Sequence, residues 1–355
     1  MGLEEVDWSV RLAPSEKVVV IAENTWAAIK GKKALKAQWS EGSPLESTKA
    51  HDKILVDLLD GSEFQNLRKD GYSKNVSDYY DLHEFCNTNG INVIDTTNVN
   101  SAETIKQIKD IEPDYLFTLG WSQIFREELI TCFSKFIVGT HPTKLPHGRG
   151  RAPLPWTILE DLKKSALSFF KIDTGVDTGN LIFQREFDIP SNSYVKDLYD
   201  TVARELGYGF YEIYESITQN KALSLTAQSE ENVTVRAKRT PSDGFLDFNK
   251  SIVETERLIR AVSEPYPGAY CYYKDEKITF WRVAFDAEKT HSGTIGQILK
   301  KSREGLLIQF SDGNLWLNKP TDSKGKDLDS KFFKIGDKLG LNIEDELYNL
   351  KQKLR

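Results

Sequence analysis

The chain has 355 residues, a formal net charge of −6, 39% hydrophobic residues and 28% charged ones, which predicts a soluble globular protein long enough for two domains. No run approaches the roughly 18 apolar residues of a membrane span, the start MGLEEVDWSV lacks the basic and apolar regions of a leader, and no block of Lys and Arg offers the footprint of a nucleic-acid binder. A cytoplasmic protein is expected, with neither membrane nor nucleic-acid partner.

Residues 18–22 form a continuous β-branched run and predict a first buried parallel strand. The following ENTWAAIKGKKAL has no Gly-x-Gly-x-x-Gly, so nothing favours a dinucleotide. Residues 45–75 leave strand and short helix equally open. Order returns with a helix over 77–86, a strand over 91–95, and a helix opened by Asn100, with Glu103 three residues later, that ends before Pro113. A strand over 115–119, a helix to about Cys132 and an apolar run over 136–138 follow. This alternation predicts an α/β fold with a doubly wound, mostly parallel sheet. Leu198, Val202, Leu206, Phe210, Ile213 and Ile217 then mark one face of a long amphipathic helix.

The polar stretch TAQSEENVTVRAKRTPSDG suits a linker. Ser251 and Glu254 have capping-box spacing, and short alternating runs near 269–273, 278–283, 295–299, 306–310 and 314–317 predict a small β barrel. The expected organisation is an N-terminal catalytic domain over 1–220, a linker over 221–240 and a smaller β domain over 241–355. Cys86, Cys132 and Cys271 are scattered without ligand spacing, so neither a disulfide nor a metal is expected.

Chemistry concentrates in GTHPTKLPHGRG, residues 139–150, and in KIDTGVDTGNLIFQ, residues 171–184. His141 and Asp177 each follow a short apolar run, as residues do at the carboxyl ends of neighbouring parallel strands, where α/β sheets place ligands. A histidine titrates near neutrality and a carboxylate raises its basicity and orients the ring, so the pair suits proton transfer. Asp173 competes for the carboxylate role. Arg149 and Arg151 would anchor an anionic substrate or cofactor tail, or else pair with Glu160 or Asp161; the residues leave both open.

HPTKLPHGRGRAP together with DTGVDTGNLIFQ resembles the formyltransferases that use formyl-tetrahydrofolate, a family of methionyl-tRNA, glycinamide ribonucleotide and sugar N-formyltransferases. RGRAPLPW is most similar to the sugar branch, and DGFLDF, RLIRAVSEPYPGAY and GTIGQI resemble the family's C-terminal OB-like domain. The resemblance implies a Rossmann-like catalytic domain, 10-formyltetrahydrofolate as cofactor, and His141 and Asp177 as the catalytic pair. It places the folate slot between Gly120, Trp121, Ser122, Gln123 and Ile124 on one side and the loop bearing Asp173 and Val176 on the other. It further implies a homodimer and a nucleotide-linked amino sugar as substrate, with methionyl-tRNA formylation or a non-catalytic binding role as alternatives. The family asparagine that steadies the oxyanion falls at Gly139, which has no side chain. Losing one such donor typically costs about 10²- to 10³-fold in rate, so either Thr140, the Ser122 hydroxyl or a backbone N–H replaces it, or the enzyme is slow or inactive; a live enzyme is expected, since the other motif positions are chemically intact.

Overall fold

Two short strands, Trp8–Ala13 (β1) and Lys17–Ala22 (β2), open the chain and pair antiparallel, with Trp8 opposite Ala22 and Ala13 opposite Lys17. The run at 18–22 is therefore a strand of a hairpin and not the expected parallel strand. Only three residues separate the two strands, and a parallel pairing needs a crossover of about a dozen. The computed structural model describes residues 8–13, 17–22, 82–119, 123–340, 347 and 351–352. The chain divides into one unit over Met1–Tyr80 and a second over Asp81–Arg355. Residues 45–75, and the expected slot residues Gly120, Trp121 and Ser122, lie outside the described residues.

The second unit begins with helix α1, Leu82–Thr88. The expected strand over 91–95 has no regular structure and no ladder partner among the described residues; Ile91 and Val93 are exposed, and a run of β-formers without a neighbour gains no ladder bonds. Helix α2, Ala102–Ile111, is capped by Ser101, whose side chain accepts from the Thr104 N–H. The cap lies one residue beyond the expected Asn100, whose side chain instead donates to the Ile124 carbonyl.

A four-stranded sheet follows, in the order β3 (Tyr115–Phe117), β4 (Phe136–His141), β6 (Lys164–Lys171) and β7 (Leu181–Asp188). β3 and β4 are parallel, while β4–β6 and β6–β7 are antiparallel. Between β4 and β6 lie the two-residue strand β5 (Arg149–Gly150) and helix α4 (Pro153–Leu159); α3 (Glu127–Ile130) precedes β4. Strand periodicity sorts the side chains onto two faces. Leu116 and Ile137 join Ile105, Leu129 and Phe133 on the α2 side, whereas Phe117, Val138 and Phe169 join Phe210 and Ile213 of helix α5 (Val195–Thr218) on the other. Helices thus cover both faces, as the alternating sequence pattern requires.

The C-terminal sheet is antiparallel, in the order β11 (Ile298–Lys301), β12 (Gly305–Gln309), β13 (Asn314–Thr321), β10 (Glu276–Phe285) and β9 (Ala269–Tyr273). Helix α6, Ile252–Val262, packs on it and starts with the expected Ser251 and Glu254 capping box. Its core is continuous with Leu154, Ile158, Ile189, Val195 and Leu198 from the preceding half. Residues 221–240 are bound into the unit instead of running as a free linker. Thr226 bridges Leu181, and Val235–Arg236 (β8) pairs in parallel with β5. No helix among the described residues is long and apolar enough to cross a membrane.

Candidate active site

His141 is the last residue of β4, and the pleat points its ring to the same face as Gly139 and Ile137. It is 6% exposed. Its Nε2 lies 2.9 Å from the Gly148 carbonyl. A carbonyl can only accept, so Nε2 carries the proton and Nδ1 of the neutral ring is the basic nitrogen. Nδ1 lies 3.6 Å from Asp177 Oδ2.

The carboxylate does not arrive as the sequence suggests, from the end of a parallel neighbour. β6 runs antiparallel to β4, and Ile172 still bonds to the Ile137 carbonyl, four residues before His141. The loop between β6 and β7 then folds back along β4 to bring Asp177 to the far end. Asp177 has φ +55°, a left-handed conformation that Asp tolerates better than most residues, and its Oδ2 accepts from the Gly150 N–H at 2.9 Å. Gly150, with φ +103°, has no room for a Cβ, which would lie 2.5 Å from the Arg236 carbonyl. Asp173 turns inward on its own loop, accepting from the Gly175 N–H and the Thr178 hydroxyl. It shapes the loop and makes no bond to His141.

Burial pushes the His141 imidazole below the ordinary histidine value, Asp177 and the Gly148 carbonyl pull it back up, and Arg236 adds to the depression. Because the folded value is the lower one, the stability this group contributes is complete above the unfolded value of about 6.5 and is lost as pH falls through the folded value. In a pH–rate profile, the limb assigned to His141 is expected to fall below pH 6.5; a limb above that value would contradict the burial argument.

Two of the expected site residues are corrected. Thr140 cannot serve as the oxyanion donor beside His141, because successive strand residues face opposite ways; it stands opposite Phe169 on the α5 face. Arg149 is not free to hold a substrate: it is 7% exposed, and its Nε and Nη2 donate to Gln228 Oε1 at 3.2 and 2.8 Å. Neither carboxylate named for it is its partner, since Glu160 pairs with Arg236 and Asp161 with Lys163 and Arg257. Arg151 is exposed beside the site and makes no ion pair among the described residues. Gln123 spends its amide on the Val99 N–H and the Thr97 carbonyl, while Leu119, Ile124 and Val176 leave 58%, 63% and 55% of their surface exposed. No group of acidic, His or Cys residues among those described could hold a metal ion.

The missing asparagine has a structural counterpart. A Cβ on Gly139 would lie 2.7 Å from Ile172 Cγ1 and 3.1 Å from Phe170 Cζ, so apolar side chains occupy the space into which an amide would project. Gly139→Asn is expected to cost about 1–3 kcal/mol by overpacking and to give no gain in rate. Adding Ile172→Ala should relieve the cost; thermal unfolding of the single and double variants checks it, and equal losses would disprove the clash.

Sequence reasoning missed Gln228, Arg236 and Ser168. The first two lie in a stretch whose polar composition looks like linker. Ser168 donates to the Thr143 carbonyl and accepts from Gln184, whose amide also donates to the Leu145 carbonyl, fixing the turn after His141.

A buried histidine with a neighbouring carboxylate at the end of a strand in a two-faced α/β sheet, joined to an antiparallel β domain, is an arrangement suited to a transfer that moves a proton. The formyl transferase model matches residues 69–212 and the formyl transferase C-terminal domain model residues 238–337. The chain belongs to the formyl transferase family. It is similar to a methionyl-tRNA formyltransferase of Acetivibrio thermocellus, 26% identical over 259 residues that cover 73% of this chain and 83% of the relative. It is also similar to the bifunctional polymyxin resistance protein ArnA of Wigglesworthia glossinidia brevipalpis, 28% identical over 62% of this chain but spanning only 35% of that protein. Among solved structures, an N-formyltransferase from Helicobacter canadensis in complex with folinic acid and dTDP-3-aminofucose shares the fold, with a TM-score of 0.52, 21% identity, and coverage of 69% of this chain and 87% of that one.

Proposed function

We propose that this enzyme transfers a formyl group from 10-formyltetrahydrofolate to the amine of a nucleotide-linked amino sugar, with His141 and Asp177 moving the proton. The observation that carries the chemistry is the His141 Nδ1 to Asp177 Oδ2 approach of 3.6 Å behind an Nε2–H fixed on Gly148. The exposed apolar side chains of Leu119, Ile124 and Val176, on the two segments expected to form the slot, fit the flat ring of a folate. When bound, the folate supplies the formyl carbon as the electrophile. His141 Nδ1 takes a proton from the attacking amine, Asp177 stabilises the resulting imidazolium, and the same proton is returned to the leaving nitrogen.

The sugar reading is supported by the cations around the site. Among the described residues, Arg149 and Arg236 are bound internally and Lys144 is paired with Glu186, while Arg151 is exposed, in a chain of net charge −6. One or two guanidinium groups suffice for the phosphates of a nucleotide sugar, whereas tRNA needs several and gives a steep salt dependence. Similarity to methionyl-tRNA formyltransferases favours the second reading, a tRNA substrate. Mass-detected formyl incorporation into a panel of nucleotide amino sugars, and into methionyl-tRNA under the same conditions, separates them. Reaction with tRNA alone would reverse the assignment; reaction with neither would remove both.

A further inference from the structure

We infer that Gln228 is a positioning residue for the proton-transfer pair: its amide clamps the loop carrying Asp177 to the Arg149 segment and so holds the carboxylate beside His141. This inference rests on the reading of His141 and Asp177 given above.

Gln228 Nε2 donates to the Asp177 carbonyl at 2.9 Å and to the Gly179 carbonyl at 2.8 Å, while its Oε1 accepts the Nε and Nη2 fork of Arg149. The amide orientation is unambiguous, because the flipped form would set an NH₂ against a guanidinium and an oxygen against two carbonyls. Gln228 is itself buried, and its backbone is held from both sides. Thr226 exchanges backbone bonds with Leu181 at 2.7 and 2.8 Å, and the Thr234 carbonyl and hydroxyl bind the Arg149 and Gly148 N–H groups. A side chain fixed in this way can transmit position to the loop it grips.

The loop needs such a grip. Val176, Gly175 and Asp173 are exposed, and Asp177 keeps a positive φ that the free chain would leave. Apart from Gln228, Asp177 is tied by the Gly150 N–H alone among the hydrogen bonds of the described residues. Arg149 has no carboxylate partner among the described residues. Its charge, directed onto Oε1, polarises the amide and strengthens the two bonds that Nε2 donates.

The groups facing His141 are Asp177, the Gly148 carbonyl and Arg236. Of these, only Asp177 rides on the clamped loop. The test uses Gln228→Met, similar in length but without donors, and Arg149→Met/Gln228→Met, which also removes the guanidinium that would otherwise stay buried alone. His141 is titrated by NMR in the free protein, beside thermal unfolding and kcat and KM for formyl transfer. Both variants should titrate His141 lower than the parent, by about 0.5 pH unit or more as the favourable carboxylate drifts away, with kcat reduced about tenfold. A folded variant with an unchanged His141 titration, or loss of folding in both, would overturn the positioning role and leave a structural one. Absence of formyl transfer by the parent, with the titration shift intact, would instead remove the functional reading and keep the clamp.

Discussion

Asp177→Asn is expected to lower formyl transfer by at least about 10²-fold, equivalent to about 2.7 kcal/mol, while leaving the fold intact. The substitution is near-isosteric, and an amide oxygen can still accept from the Gly150 N–H, so the loop keeps its tether. What disappears is the charge 3.6 Å from His141 Nδ1. A unit charge pair at that range is worth on the order of 4 kcal/mol at an effective dielectric near 20, larger than the required loss even before geometry is considered. The sign extends to pH. Asp177 raises the His141 value against burial, so its neutralisation should move the acid limb still lower. His141→Asn should lose at least as much rate, since it removes the imidazole whose Nδ1 faces Asp177. Rates for both variants at saturating folate, with unfolding curves as control, provide the check; a loss below threefold for Asp177→Asn would remove the carboxylate from the mechanism.

The second large effect lies in α5, where a buried and an exposed glycine should respond oppositely to alanine. Gly209 of α5 sits directly on the sheet: a Cβ there would lie 2.0 Å from Phe169 Cζ and 2.4 Å from Cε2. Phe169 is fully buried and edge-packed against Phe210, with Phe183 at 4.8 Å, so its ring cannot step aside. Gly209→Ala must push helix and sheet apart, and overpacking of this kind costs about 1–3 kcal/mol, more than the roughly 0.5–1 kcal/mol gained from helix propensity. At Gly207 nothing lies within 4 Å of the added carbon. Gly207→Ala should therefore stabilise by about 0.5–1 kcal/mol. For a unit of this size the pair should separate in melting temperature by several degrees, at about 2–4 °C per kcal/mol. A Gly209→Ala protein as stable as the parent would mean that the close approach of α5 to β6 is absent in solution.

The candidate pair was legible because its residue types and flanking apolar runs are local facts: His141 ends a buried strand and Asp177 follows another. The amphipathic helix, the Ser251 capping box and the C-terminal strands were legible for the same reason, since a 3.6-residue or two-residue period and a short-range cap need no distant partner. Strand direction was not. Whether β4 and β6 run parallel or antiparallel depends on how the intervening chain, with β5 and α4, returns, and the two orientations show the same burial pattern.

Sequence alone thus determined an α/β unit followed by a β domain and a histidine–carboxylate pair at residues 141 and 177, because periodicity and local chemistry survive in one dimension. The tertiary structure decided the rest. It placed Thr140 on the wrong face through the pleat and filled the space above Gly139 with Ile172. It also turned Arg149 away from ligand and onto Gln228. Residues 221–240 show the reason most clearly: their polar composition reads as solvated linker, yet Gln228 and Arg236 are buried because their partners, Arg149, Asp177 and Glu160, lie far away in sequence. A polar side chain reveals its role only when the group that satisfies it is known, and that group is supplied by the fold.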